Sequence, residues 1–468
     1  MPEIPKVRGV TMAGNNTANE VRGIDIIPSS ERTGTPKSLF PVWAATVMTM
    51  TGFLLGGIVG TLGLPLNLVI IAILIGNLGF LLVGLLSITG PQAGTSMITI
   101  SRASLGQRGY WPGSFLSWLT AVGWETVNAV IGTFAVLELF KIIGIGTGTI
   151  QTLLALVITI SLVVYIAVKG IFTVIKAQSI FTIVIAIGLT ITILFAIPKI
   201  NLGVAVGDPA TGSLIGTFLL ALGIIMAGGG ISYLNYPADY TRYLPESANK
   251  KAIFGYSFLG GYIPITVLMI MGALLGTAID MAGDPLATFS QVVPTWFLIP
   301  FLLVAILGII TNNVINIYSS GLSLLAMGLK VKRSTAVIID GIIVFGIASY
   351  AIFGTDFVTF FINFLGIMVV WLAPWGAIVL IDFYQRGQKY NSNEFFKGNT
   401  SEYWYKSGFN PIGMIAWIAG AIAGALTINT PLLVGPLANS WFAGGDVSVF
   451  AGIIVAGIIY KLGNKIKD

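Results

Sequence analysis

Residues 227–237 read Ala227-Gly228-Gly229-Gly230-Ile231-Ser232-Tyr233-Leu234-Asn235-Tyr236-Pro237 and close an apolar stretch that begins near residue 214. The stretch is long enough to cross a bilayer as a helix. Three consecutive glycines with a proline seven residues on are what a helix interior avoids. Unwound backbone at membrane depth survives only where protein or a water-filled cavity satisfies its N–H and C=O groups. The stretch therefore predicts a membrane helix broken beside a cavity. The first apolar stretch carries a related cluster: Thr46, Thr49, Thr51, Gly52, Gly56 and Gly57. Interrupted spans in corresponding places of two halves point to a midplane site between inverted repeats. The alternative, glycines that merely let helices approach closely, accounts for the first cluster at least as well.

Around these stretches the chain is a membrane chain throughout. Hydrophobic residues make up 55% of its 468 residues and charged residues only 9%, with a mean hydropathy of +0.92. A soluble protein of this size must cover itself with charge, so lipid is the expected solvent. Twelve apolar stretches, from 41–61 to 446–461, meet the length of about 20 residues for a span. They predict an all-α polytopic bundle, because barrel strands are short and alternating. Of the 24 Lys and Arg residues, 22 fall on the side of both termini; only Lys141 and Lys199 fall on the other. That asymmetry predicts cytoplasmic termini and accounts for the basic pI of 9.3 without nucleic acid. The mixed, polar residues 1–40 read as a cytoplasmic tail and lack a signal-peptide pattern. With no Cys and no His, thiol chemistry, disulfides, His proton relays and His-ligated metals are all excluded.

Polar residues at membrane depth mark the candidate site. Span three holds Gly123-Trp124-Glu125-Thr126-Val127-Asn128. Trp124 and Asn128 are four apart and share a helix face. A flat ring and an amide together suit a planar heterocycle, by stacking and edge hydrogen bonds; an interfacial tryptophan and a helix–helix bond are the equal alternative. A charge at the helix centre costs about 2.5–3.5 kcal/mol on insertion scales, so Glu125 is expected to face a cavity or carry a proton. A structural hydrogen bond to a neighbouring backbone gap is its other reading. Span eight reads Thr311-Asn312-Asn313-Val314-Ile315-Asn316, and three asparagines in five residues exceed what interhelical hydrogen bonding requires. Asp239 and Arg242 read as a solvated local ion pair, and Asp340 and Asp382 as wet residues near helix ends.

At these residues the chain resembles the nucleobase–cation symporter family, in its purine–cytosine permease branch, over about residues 25–460. The resemblance rests on Gly90-Pro91-Gln92-Ala93-Gly94 with Ser101-Arg102-Ala103-Ser104-Leu105-Gly106, on Gly-Trp-x-x-x-Asn in span three, and on Pro237-Ala238-Asp239-Tyr240-Thr241-Arg242-Tyr243-Leu244-Pro245. Asn-Asn-x-x-Asn-x-Tyr-Ser in span eight and Ala373-Pro374-Trp375 with Ile381-Asp382-Phe383 in span ten complete it. Five motifs in order at the matching spans are a specific signal where each alone is weak.

The resemblance implies a leucine-transporter-like fold. Two inverted five-helix repeats, 41–197 and 214–384, would have helices one and six broken, followed by two extra helices in 410–461. It implies import of cytosine or a purine with a cation by alternating access, at the cytoplasmic membrane, with no reaction performed on the substrate. By the same resemblance Trp124 stacks on the base, Asn128 bonds its edge, and Asn312 and Asn316 hold it, with the Gly228 and Gly229 backbone alongside. Tyr233 stands where relatives often carry tryptophan. Sodium-coupled relatives present two adjacent hydroxyls in span eight beside the break in span one. Here the pair is Thr311-Asn312, opposite Thr46 and Thr49, so sodium at Thr311 and a proton on Glu125 both stand as coupling ions. No organic cofactor, nucleic acid or obligate protein partner is expected. The same fold carrying allantoin, hydantoin, thiamine or a pyridoxine-like ring is the near alternative, and an ion channel the distant one.

Overall fold

The computed structural model describes residues 23–169, 171–203, 206–279, 291–329 and 333–464; residues 1–22 of the expected tail lie outside them. The described residues form a helical bundle. Its helices are α1 (Leu39–Val47), α2 (Met50–Gly60), α3 (Leu66–Ala93), α4 (Tyr110–Ile142), α5 (Thr149–Lys169), α6 (Ile171–Ala196) and α7 (Leu214–Gly228). Then come α8 (Pro237–Thr241), α9 (Lys250–Leu275), α10 (Thr295–Ala326), α11 (Arg333–Phe353), α12 (Phe357–Gln385), α13 (Pro411–Thr427) and α14 (Ser448–Gly463). Among the described residues, eight helices are long and apolar enough to cross a membrane, nine when α1 and α2 count as one bent span. The apolar helices at Ile183–Lys199, Pro411–Thr427 and Ser448–Gly463 are shorter.

Both stretches contain a helix break, but in the first it falls at Met48 and Thr49, and Gly52 and Gly56 lie inside α2, where they let α9 approach closely, as the alternative reading had it. The first span bends by 59° between α1 and α2, where Thr49 is fully extended. In the sixth, α7 ends at Gly228, Gly229 leaves the helical region, a 3-10 turn runs from Gly230 to Tyr233, and Pro237 starts α8. Glycine is required here by its neighbours. A Cβ on Gly228 would lie 2.5 Å from Leu55 Cδ1, and one on Gly230 would lie 2.1 Å from the Phe80 backbone nitrogen.

The longest seam joins α4 to α10, which run antiparallel. Its contacts step in register: Tyr110 bonds the Ala326 carbonyl, Ser323 donates to Ser117 at 3.0 Å, Asn313 to the Glu125 carbonyl at 3.4 Å, and Asn128 to Asn312 at 2.6 Å. The sequence expectation fails at the supposedly wet acids. Asp340 is 1% exposed and Asp382 0%. Asp340 accepts from Trp118 Nε1 and Ser320 Oγ, and Asp382 from Arg386 Nε and Tyr460 Oη. Position near a helix end does not reveal that α11 is packed against α4, α5 and α10 there. Asp239 and Arg242 are likewise buried rather than solvated: Asp239 accepts from the Met97 backbone and Ser319, and Arg242 donates to the Gly23 carbonyl and Tyr318.

Helices α2 and α9 touch backbone to backbone. A Cβ on Gly56 would sit 1.9 Å from the Met269 carbonyl oxygen, and one on Gly272 would sit 2.0 Å from that of Phe53. Neither obstacle is a side chain that can swing away, so overpacking of about 1–3 kcal/mol is expected for Gly56→Ala. The detergent-solubilised variant should melt several degrees lower; wild-type melting would refute the close approach.

Candidate substrate and ion site

The two breaks and helices α4 and α10 enclose one narrow cavity. Of the residues singled out in the sequence, Thr49, Thr51, Gly52, Trp124, Asn128, Gly228, Tyr233 and Asn312 line it. Val47 from α1, Leu55 from α2 and Ile265 from α9 complete the wall. No charged side chain lines it among the described residues.

The aromatic part is built by α4 and the turn after α7. The Trp124 and Tyr233 rings are nearly parallel, 10° apart in plane, with centroids 6.5 Å apart. A flat ring inserted face to face between two others needs about 7 Å, twice a carbon–carbon contact distance of about 3.5 Å. Edge-on contacts from Phe361 and Phe364, at 5.9 and 5.5 Å, hold Trp124 in place. Trp43 does the same for Tyr233 at 5.9 Å. The Trp124 indole nitrogen is buried without a hydrogen-bond partner among the described residues.

The amide part is a network centred on Asn312. Its Nδ2 donates to the Thr46 carbonyl at 2.5 Å, one of the groups freed where α1 ends. Its Oδ1 accepts from Asn128 at 2.6 Å and from Asn316 at 3.0 Å. Asn128 also donates to Asn313 Oδ1 at 2.9 Å, and the Tyr233 hydroxyl lies beside Asn312. Unwound backbone in a low-dielectric interior needs such partners, so the same amides that face the cavity also hold the break together.

Other singled-out residues stand off the cavity. Asn316 lies one turn beyond Asn312. Thr46 contributes its carbonyl, while its hydroxyl donates to Val42. The Thr311 hydroxyl donates to its own helix at Leu307 and Gly308, next to the backbone of Met48. Gly229 is turned away, its missing Cβ facing Asn77. Glu125 is 3% exposed, and its Oε1 has no hydrogen-bond partner among the described residues. Sequence reasoning overlooked Phe361, Phe364, Ile265 and Asn313 as site residues. Asn313 was readable in the asparagine run; the other three carry no local signal, because apolar residues on apolar helices look alike.

A family model described as permease for cytosine/purines, uracil, thiamine, allantoin matches residues 26–449. The putative purine-cytosine permease YxlA of Bacillus subtilis is 29% identical, over 94% of this chain and 95% of its own length. The purine-cytosine permease fcyB of Emericella nidulans is 27% identical, over 94% and 87%. Among solved structures, Mhp1, a nucleobase-cation-symport-1 family transporter in a closed conformation with bromovinylhydantoin bound, superposes with a TM-score of 0.75. It is 17% identical, over 96% of this chain and 95% of its own.

The amide network predicts an order of stabilities. Asn312→Ala strips partners from Thr46, Asn128 and Asn316 together, while Asn316→Ala removes one bond. Each buried group left unsatisfied costs about 1–3 kcal/mol. Asn312→Ala should therefore melt well below Asn316→Ala in the same detergent; equal melting points would contradict the network.

Proposed function

This chain belongs to the family of permeases for cytosine/purines, uracil, thiamine and allantoin, and we propose that it imports a nucleobase, cytosine or a purine, by cation symport through alternating access. It is a permease and not an enzyme. The observation that carries the substrate reading is the pair of parallel rings, Trp124 and Tyr233, 6.5 Å apart beside an amide cluster in an uncharged cavity. Parting by about half an ångström admits a planar heterocycle at contact distance on both faces. Asn128 and Asn312 then read its edge, Asn316 supports Asn312, and the Gly228 backbone closes the side. The indole N–H without an acceptor offers a further donor. A neutral base suits such a wall, because nothing in it compensates a charge.

For the coupling ion we favour a proton carried by Glu125. Its carboxyl is buried among the helices that form the site and keeps one oxygen unpartnered. Sodium at Thr311 is the second reading, supported by the proximity of Gly308 to the break at Met48, with Thr46 and Thr49 alongside. Against it, Asn312 Oδ1 already accepts two hydrogen bonds, which a sodium ion would have to displace. The repeats are assigned to 41–197 and 214–384, with 410–461 as an addition, both termini cytoplasmic, in the cytoplasmic membrane.

Uptake into proteoliposomes tests this, with proton and sodium gradients imposed separately on labelled cytosine, adenine and hypoxanthine. Saturable accumulation of one base under a proton gradient is expected, lost in Trp124→Ala and falling at least about tenfold in Asn128→Ala, the loss of one or two buried hydrogen bonds. Accumulation displaced by allantoin, hydantoin, thiamine or pyridoxine but not by bases would move the substrate within the family. Currents without saturable uptake would mean a channel.

A further inference from the structure

Asp340 and Asp382 are both buried within the described membrane helices of this bundle's second half, and they are held differently. Asp382 is paired with Arg386, its charge balanced in place at 2.9 Å. Asp340, 1% exposed, is held only by neutral donors: Trp118 Nε1 at 2.9 Å and Ser320 Oγ at 2.5 Å. No cation pairs with it among the described residues. A carboxyl buried in a bilayer without a counter-ion marks a functional site more often than a structural one, because both its neutral and its charged form are within reach.

Its place in the fold gives the function. On α4, Trp118 and Glu125 are seven residues apart, hence on one face and about 10 Å apart along the axis. On the antiparallel α10, Ser320 and Asn313 are also seven apart, and Asn313 donates to the Glu125 carbonyl. Both helices thus place Asp340 two turns from Glu125, in the direction of Tyr110 and Ala326. On α11, Asp340 lies seven residues from the helix start at Arg333, the end flanked in sequence by Lys330 and Lys332. Glu125 and Asp340 are within electrostatic reach of each other. At the level of Trp118, and within reach of Glu125, lie further polar groups. Asn235 donates to Ser117 at 2.8 Å, while Asn235 Oδ1 and the Tyr236 hydroxyl have no hydrogen-bond partner among the described residues. Tyr236 lies against Asn235 and within reach of Glu125. The titratable groups carried on the helices around Asp340 are Tyr110, Glu125, Glu138 and Lys141 on α4, Tyr165 and Lys169 on α5, Tyr318 on α10, Asp382 and Tyr384 on α12, and Arg333 and Tyr350 on α11 itself. Of these, Glu125 is the acid that shares its face.

We propose that Asp340 is a second proton-binding site, which takes the coupling proton from Glu125 and releases it toward the Arg333 end of α11. The inference rests on the reading of Glu125 as the proton carrier. The transfer balances: protonated Glu125 and ionised Asp340 become ionised Glu125 and protonated Asp340, and Asp340 then returns to its ionised form as the proton leaves. Tyr236 and Asn235 supply donor and acceptor along the way, with water entering as the site opens toward that end.

The test compares wild type, Glu125→Gln and Asp340→Asn in proteoliposomes loaded with a pH-sensitive dye. Counterflow of labelled against trapped unlabelled base needs no net proton movement; substrate-evoked acidification does. Asp340→Asn should keep counterflow and lose both acidification and concentrative uptake, and Asp340→Glu should restore them. Wild-type acidification in Asp340→Asn, with loss in Glu125→Gln, overturns the relay and leaves Glu125 standing. Wild-type uptake indifferent to a proton gradient, or normal acidification in Glu125→Gln, overturns the proton reading itself. Should Asp340→Asn lose counterflow as well, Ser320→Ala decides, since it keeps the carboxyl and removes one donor. A displaced pH profile of uptake with counterflow intact supports the relay, and an unmoved profile overturns it.

Discussion

A helix that stops in the middle of a membrane leaves carbonyls and amides that lipid cannot satisfy. The hydrogen bond from Asn312 to the Thr46 carbonyl answers that constraint at the first break, and much of the site follows from it. The amide must be fixed to accept this role, so its other end is tied to Asn128 and Asn316. The tie to Asn128 draws α4 and α10 together at the level of the break, and the cavity forms where the four elements meet.

The seam between α4 and α10 continues this logic along its length. Its polar contacts, from the asparagines through Ser117 and Ser323 to Tyr110, keep one antiparallel register. Interhelical hydrogen bonds in membranes contribute modestly, about 0.6 kcal/mol on average, so their value here is in placement more than in strength. They set the height at which Trp124 meets Tyr233, and the height at which Asp340 is held by Trp118 and Ser320.

Much of the fold was legible in the sequence, because its signals are local. Apolar length marked the helices and Gly228–Gly230 the sixth-span break, whereas the glycines at 52–57 are close-packing residues inside α2, past a break at Met48 and Thr49. Trp124, Asn128 and Asn312 were legible as partners because polar or flat residues at membrane depth need a reason to be there. What escaped depends on packing between distant segments. Phe361 and Phe364 orient Trp124, yet they are ordinary residues in an apolar helix. Asp340 reads as a wet helix end until α4 and α10 are seen to close over it, and Gly229 reads as a cavity residue until Asn77 is seen on its open side.

The close approach of α2 and α9 bears on how the molecule moves. At Gly56 and Gly272 each main chain lies in a notch of the other, with no side chain between them to give way. Two such notches, three residues or about 4.5 Å apart along each helix, act like meshed teeth: sliding one helix against the other would drive backbone into backbone. Helices α2 and α9 therefore travel as a single rigid piece. Any rearrangement that opens the cavity must find its slip plane elsewhere, along faces where side chains and exchangeable hydrogen bonds, rather than interlocked main chains, make the contact.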